Sequence, residues 1–266
     1  MTPKHGINKI TPDIARNWLK LSRGNRPVSR RNVELLSGIM KRGEWVLNGE
    51  TIIFSHDMTL IDGHHRLLAL SSLENIEIES YVVVGVSKSV FDTIDQGKSR
   101  NSADALSIRG EKDAINLSAA LRLVLILTSD KINFSAAYST KQIEDALEKH
   151  NRIRSFVCVG RSLDKVCDRS VAIAISYLAD AEHGKNSWEF FERLADGAGL
   201  RKGSPVTALR DRLIQNKGSV SKLPKPYVVA IFIKALKMHM QGKTCGTLKF
   251  LDSEEFPRMK GKSCAA

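Results

Sequence analysis

The sequence predicts an α+β protein: a small mixed domain over residues 1–105, an all-helical domain over 106–242 and a basic tail over 243–266. Three observations lead there. Apolar residues recur at helical spacing up to Gly43, and the period then shortens to that of strands between residues 51 and 86. From about Ala103 onwards every periodic segment has the helical period. Between the two regimes, Leu60-Ile61-Asp62-Gly63-His64-His65-Arg66 joins a short apolar run to a run that reads as helix, which predicts a strand, a tight turn and a helix N-terminus.

The elements follow in order. Thr11 can cap a helix, Pro12 suits its first position and Asp13 suits its dipole, with Ile14, Trp18 and Leu21 on one face. Residues 22–28, with Gly24 and Pro27, form a loop. Ser29 opens a second helix with Val33, Leu36, Ile39 and Met40 on its face, and Gly43 stops it. Residues 51–54 and 58–61 are short β-branched or apolar runs, and Ser55-His56-Asp57 between them suits a hairpin turn. After the helix that ends near Leu73, residues 76–86 alternate and then become continuously apolar, as a strand buried at one end does.

In the second part, residues 114–127 are apolar almost all round, the mark of a central buried helix. Thr140 is the expected cap of a helix over 141–150; further helices are expected over 153–166, 170–182 and 187–195, the last ending at Gly197. Ser204-Pro205 starts another, with Val206, Leu209 and Leu213 inward, and residues 227–240 form a final apolar helix. The tail from Lys243 is basic and aperiodic, and the chain holds no internal repeat or low-complexity stretch.

Composition narrows the function classes. The 266 residues leave room for one large or two modest domains, and 41 Lys and Arg exceed 29 Asp and Glu by 12. The surplus is uneven: residues 1–110 carry a net +3 and residues 111–266 a net +9. A basic surplus concentrated in one part points to a polyanionic partner, most often DNA or RNA. Four cysteines show neither C-x-x-C pairing nor zinc spacing, which fits incidental thiols in a reducing compartment. With no apolar leader and no long uncharged apolar run, neither secretion nor a membrane span is expected, and the expected location is the cytoplasm.

Two polar clusters carry candidate chemistry. At the first, Gly63 lets a ligand approach the backbone, and the first helical turn after it offers N–H groups and the positive end of the macrodipole. Arg66 in that turn opposes the dipole but suits a phosphate, so the Asp62–Arg66 turn is an expected anion site with Gly63 and Arg66 as its main groups. His64 and His65 titrate near neutrality and are candidate acids or bases, with Glu44 and Glu50 as spare bases. At the second, Asp92 and Asp95 lie three residues apart and suit a divalent cation such as Mg2+, with Lys98, Arg100 and Asn101 following as phosphate ligands. In the helical part, Arg201, Lys202, Arg210 and Arg212 flank a Gly-rich connection between two helices, in the manner of a DNA-binding helix pair, although the connection is long for a helix-turn-helix.

These residues also carry a likeness. The loop with Arg26-Pro27, the helix ending in Gly43, the segment 43–53, the hairpin and the turn Asp62-Gly63-His64-His65-Arg66 resemble the ParB N-terminal/sulfiredoxin-like superfamily over residues 11–105. The turn is closest to the Asp-Gly-Gln-His-Arg type found in a ParB-like branch linked to DNA modification. The resemblance implies that the turn, through Asp62, Gly63, His65 and Arg66, cradles the phosphates of a nucleotide triphosphate, CTP or ATP. It also implies that residues 95–101 lie where ParB proteins hold the nucleotide and its metal. Sulfiredoxins have a cysteine where this chain has His64, so sulfinic acid reduction is not expected. The expected function is therefore a nucleotide-binding protein associated with DNA, with a homodimer among the assemblies open to it. The alternatives are an enzyme on the same site (a nucleotide hydrolase, kinase or nuclease) or an adaptor or inhibitor of phage type that has lost the ligand.

Overall fold

The computed structural model describes residues 3–23, 27–89, 101–251 and 253–259. It is a mixed α+β structure in two compact units, residues 1–99 and 100–266, each with its own apolar core.

The first unit contains β1 (Lys4–Ile10), α1 (Pro12–Leu19), α2 (Arg30–Lys41), β2 (Thr51–Ser55), β3 (Leu60–Asp62), α3 (His64–Ser71) and β4 (Ile78–Val86). Strand order is β1-β4-β2-β3; β4 is antiparallel to β1 and parallel to β2, and β2 is antiparallel to β3. Local chemistry sets the helix starts as expected: the side chain of Thr11 accepts from Ile14 N–H, and that of Ser29 accepts from Asn32 N–H. Helix α3 packs against both α1 and α2. Its Leu67 and Leu70 are wholly buried with Ile52, Phe54 and Leu60 of β2 and β3, each burial stabilising by about 2 kcal/mol. That packing leaves the N-terminal turn of α3 beside the ends of β2 and β3.

Strand β1 has no counterpart in the sequence reading. Its stretch has no apolar alternation, and only Ile10 of it is buried. It is a strand because it pairs along its whole length with β4, from Lys4 opposite Val84 to Ile10 opposite Ile78.

The second unit is helical: α4 (Ser102–Ile108), α5 (Ala114–Thr128), α6 (Thr140–Lys149), a 3-10 turn at Asn151–Phe156, α7 (Val157–Ser162), α8 (Arg169–His183), α9 (Trp188–Asp196), α10 (Pro205–Gly218) and α11 (Lys225–Met240). Helices α5, α8 and α11 supply most of its core; residues 170–179 of α8 are buried on every face. Three local expectations are corrected. The cap of α6 is Ser139, whose hydroxyl accepts from Gln142 N–H at 3.1 Å while Gln142 accepts from Ser139 N–H at 2.9 Å; this reciprocal pair outcompetes Thr140 for the position. The helix expected over 153–166 is a 3-10 turn followed by the short α7. The described residues after 243, expected as a basic tail, are anchored: Cys245, Leu248 and Met259 are buried in the helical core, and Cys245 N–H donates to Gly203 O at 2.7 Å. Single anchoring side chains rather than a period hold that segment, so periodicity could not reveal it. Helix α4 straddles the boundary expected at residue 105, and its Leu106 belongs to the second core.

No helix among the described residues is long and apolar enough to cross a membrane.

Candidate functional site

The turn between β3 and α3 is built around Gly63. Its backbone is left-handed (φ 95°), and a Cβ there would lie 2.9 Å from Cγ1 of the buried Ile52. Only glycine meets both conditions without strain. Gly63 is the N-cap of α3 and brings no side chain, so the helix start has no side-chain cap.

Arg66 occupies the first turn of α3 but does not face outwards. It is 9% exposed, and its guanidinium donates to Asp62 Oδ2 at 2.8 Å and to Glu50 Oε2 at 3.1 Å. Helical side chains lean towards the N-terminus, and the i,i+4 spacing from Asp62 completes the pair. The expectation that Arg66 presents a free cation to a phosphate is thereby corrected: it clamps two carboxylates. Glu50 is itself fixed from behind. Its N–H donates to Asn48 Oδ1 at 3.1 Å, and its carbonyl accepts from the buried Ser80 hydroxyl at 3.2 Å. Its carboxylate remains 65% exposed, against 25% for that of Asp62. The open groups of the clamp are therefore acidic.

Both histidines are used in packing. His64 Nδ1 lies 2.7 Å from Ser22 Oγ. Burial, and then the neighbouring His65, hold its pKa below the usual 6.5, which favours the neutral ring. His65 Nε2 accepts from Ser29 N–H at 3.0 Å, tying the start of α2 to the start of α3. That lone pair is engaged, so His65 can act as a base at Nε2 only by giving up this bond.

The turn thus brings together Glu50, Asp62, Gly63, His64, His65 and Arg66. Asn101 belongs to the second unit, where its side chain caps α4 by accepting from Ala103 and Asp104 N–H at 2.9 and 3.0 Å. The side-chain oxygen of Asn101, expected at a phosphate, serves as a helix cap in this structure. Asp92, Asp95, Lys98 and Arg100 lie outside the described residues. Among the described residues, no group of three or more His, Cys, Asp or Glu is arranged to hold a metal ion.

In the expected DNA-facing segment, Arg201 and Lys202 stand exposed on the connection between α9 and α10. Arg210 does not: its Nε donates to Leu194 O at 3.0 Å, where it neutralises the C-terminal carbonyls of α9. Arg212 is half-buried, with a long contact of 3.4 Å to Gln215 Oε1. Of the four expected DNA contacts, Arg210 is therefore reassigned to helix capping. Sequence reasoning also missed Ser22 and Ser29 as partners of the histidines, and it named Glu50 without its partner. The i,i+4 spacing of Asp62 and Arg66 was a legible signal; nothing local signals the reach of Arg66 to Glu50, sixteen residues away.

Comparison with protein-family models, with curated proteins and with solved structures returned no match.

Proposed function

We propose that the first unit binds a nucleotide triphosphate, as its magnesium complex, at the Asp62–Arg66 turn, and that the basic helical unit associates with DNA. The observation that carries this reading is the start of α3: a left-handed Gly63 packed on Ile52 presents a helix N-terminus without a side-chain cap, beside two carboxylates held by one guanidinium. A helix N-terminus favours phosphate oxygens. The clamp adds a net negative charge, since Glu50 and Asp62 outnumber Arg66. A free nucleotide would be repelled by it, whereas a magnesium nucleotide suits it, because Mg2+ takes one or two carboxylates together with substrate phosphates. In this reading Asp62 and Glu50 are the oxygen ligands, Arg66 is the positioning residue that fixes them, and the bound ion supplies charge neutralisation. The role of Arg201 and Lys202 is to meet DNA phosphates from an exposed loop.

A second reading, phosphoryl transfer or hydrolysis on the same turn, draws on Glu50: an exposed carboxylate anchored at its backbone and at one oxygen is a suitable general base.

The test is the melting temperature of the full chain with CTP, ATP, ADP and GTP, each with and without magnesium. A nucleotide at a hundredfold excess over Kd should add about 2.7 kcal/mol of apparent stability, only with magnesium, and Asp62→Asn should abolish the shift. No response to any nucleotide would reject the reading. Product formation that stops in Glu50→Gln would favour the second one.

A further inference from the structure

A hollow of about 460 Å³ lies wholly within the helical unit, a size usual for small-molecule sites. Residues from the N-terminal ends of α8 and α11 and from the C-terminal end of α10 line it. Its walls include the buried Val166, Val171, Leu213 and Val228. Cys167 adds a buried thiol whose pKa burial pushes up to about 12, so this wall carries no charge at neutral pH.

The rim is different. Four cations, Arg169, Lys217, Lys222 and Lys225, face two carboxylates, Asp164 and Asp168, and Asp113 behind the rim lies 3.9 Å from Arg169, which leaves a positive surplus. The carboxylates are shared: Asp164 pairs with Arg169 at 2.9 Å and lies 3.9 Å from Lys217, and Asp168 pairs with Lys225 at 3.2 Å. Lys222 donates to Asn216 O at 3.2 Å, offsetting the negative end of α10. Arg169 and Lys225 are the first residues of α8 and α11. A cation at that position opposes the helix dipole and lowers helix stability. Helix α11 is capped by Pro224, which offers no side-chain acceptor to the N–H groups of the first turn. The N-terminus of α8 is capped by Asp168, which accepts from Ser170 N–H at 3.0 Å, whereas that of α11 has no side-chain cap. One uncapped helix N-terminus, two cations at helix starts and an excess of positive charge converge above an apolar wall.

We infer that this hollow binds a small amphipathic anion, with a carboxylate or phosphate head on the rim cations and an aliphatic or aromatic body against the valine-rich wall. The site is separate from the turn in the first unit and does not depend on it.

The probe is 1-anilinonaphthalene-8-sulfonate, an aromatic anion whose fluorescence rises in apolar surroundings, titrated into the full chain. It should bind saturably, one per chain, and more tightly than the neutral N-phenyl-1-naphthylamine. Lys217→Gln with Lys222→Gln should weaken it roughly tenfold, the loss expected for charge-assisted contacts. The charge-matched pair Lys131→Gln with Lys185→Gln, on exposed residues outside the hollow, should leave it unchanged. Leu223→Trp, which fills the hollow from its rim, should abolish binding while the melting temperature holds. Displacement by decanoate or by decyl phosphate then tells which head group fits. The inference is overturned if the probe does not saturate, if both double variants bind it equally, or if the neutral analogue binds as well.

Discussion

Arg66 illustrates how a side chain chosen for one chemistry can serve another. The burial of its guanidinium between Asp62 and Glu50 makes it a stability determinant. Arg66→Ala leaves Asp62, three-quarters buried, without its partner. Because Glu50 can rehydrate, the expected loss is about 2 kcal/mol, below that of a fully buried broken pair. Arg66→Lys recovers only part of it, since one ammonium cannot span both acids as a planar fork does. Urea unfolding of the three proteins measures this. His64 gives a second prediction. Its pKa is held down in the folded chain by burial first and His65 second, so the folded state takes up this proton less readily than the unfolded one. Its contribution is fully present above the ordinary pKa of 6.5 and is lost as pH falls from there through the lower folded value. The buried His150 and the half-buried His239 are shifted the same way in the helical unit. Stability should therefore fall with pH below about 6.5, and His64→Gln should flatten that fall for the first unit alone. An unchanged pH profile for the first unit in His64→Gln would refute this.

Among elements, α9 and α10 separate two roles that sequence pattern merges. Arg210 closes α9 by donating to Leu194 O, whereas Arg201 and Lys202 stand exposed on the connection. Arg210→Ala should cost about 1 kcal/mol of stability, the usual worth of a hydrogen bond or cap, and leave the salt dependence of the proposed DNA binding as it was. Arg201→Ala with Lys202→Ala should do the reverse, leaving the melting temperature unchanged and lowering the slope of log affinity against log salt by about 2. Titrations of duplex DNA at several salt concentrations, with melting curves on the same proteins, distinguish the two. Basic residues in a row look alike in sequence because neither the pattern nor the charge reveals which cation meets a helix C-terminus. The helices themselves were legible: Thr11, Ser29 and Ser204 cap where they stand, and Gly43 and Gly197 stop where expected, because capping is a local bargain between a side chain and its own next turn.

For the whole molecule, two cores mean two cooperative units. Among the described residues, the first rests on a core cluster of twelve buried apolar residues and the second on a far larger set, so calorimetry should resolve two transitions rather than one two-state event. Gly63→Ala tests the assignment. It forces a side chain into the left-handed region and onto Ile52, and should cost roughly 2 kcal/mol. Only one transition should move. A single transition with equal calorimetric and van't Hoff enthalpies would refute the division.

What the sequence by itself determined was the succession of elements from α1 to β4, the glycine-centred turn between β3 and α3, and the concentration of basic charge after residue 110. These rest on interactions a few residues long, or on composition, and so survive without coordinates. Tertiary structure alone decided that residues 4–10 are a strand, that Arg66 turns inwards to Glu50, that Arg210 closes a helix and that four cations rim a hollow with an apolar wall. Each depends on a partner distant in sequence. A strand without alternation takes its identity from its neighbour, and the direction of a cation is set by whichever carboxylate or carbonyl the fold brings within reach.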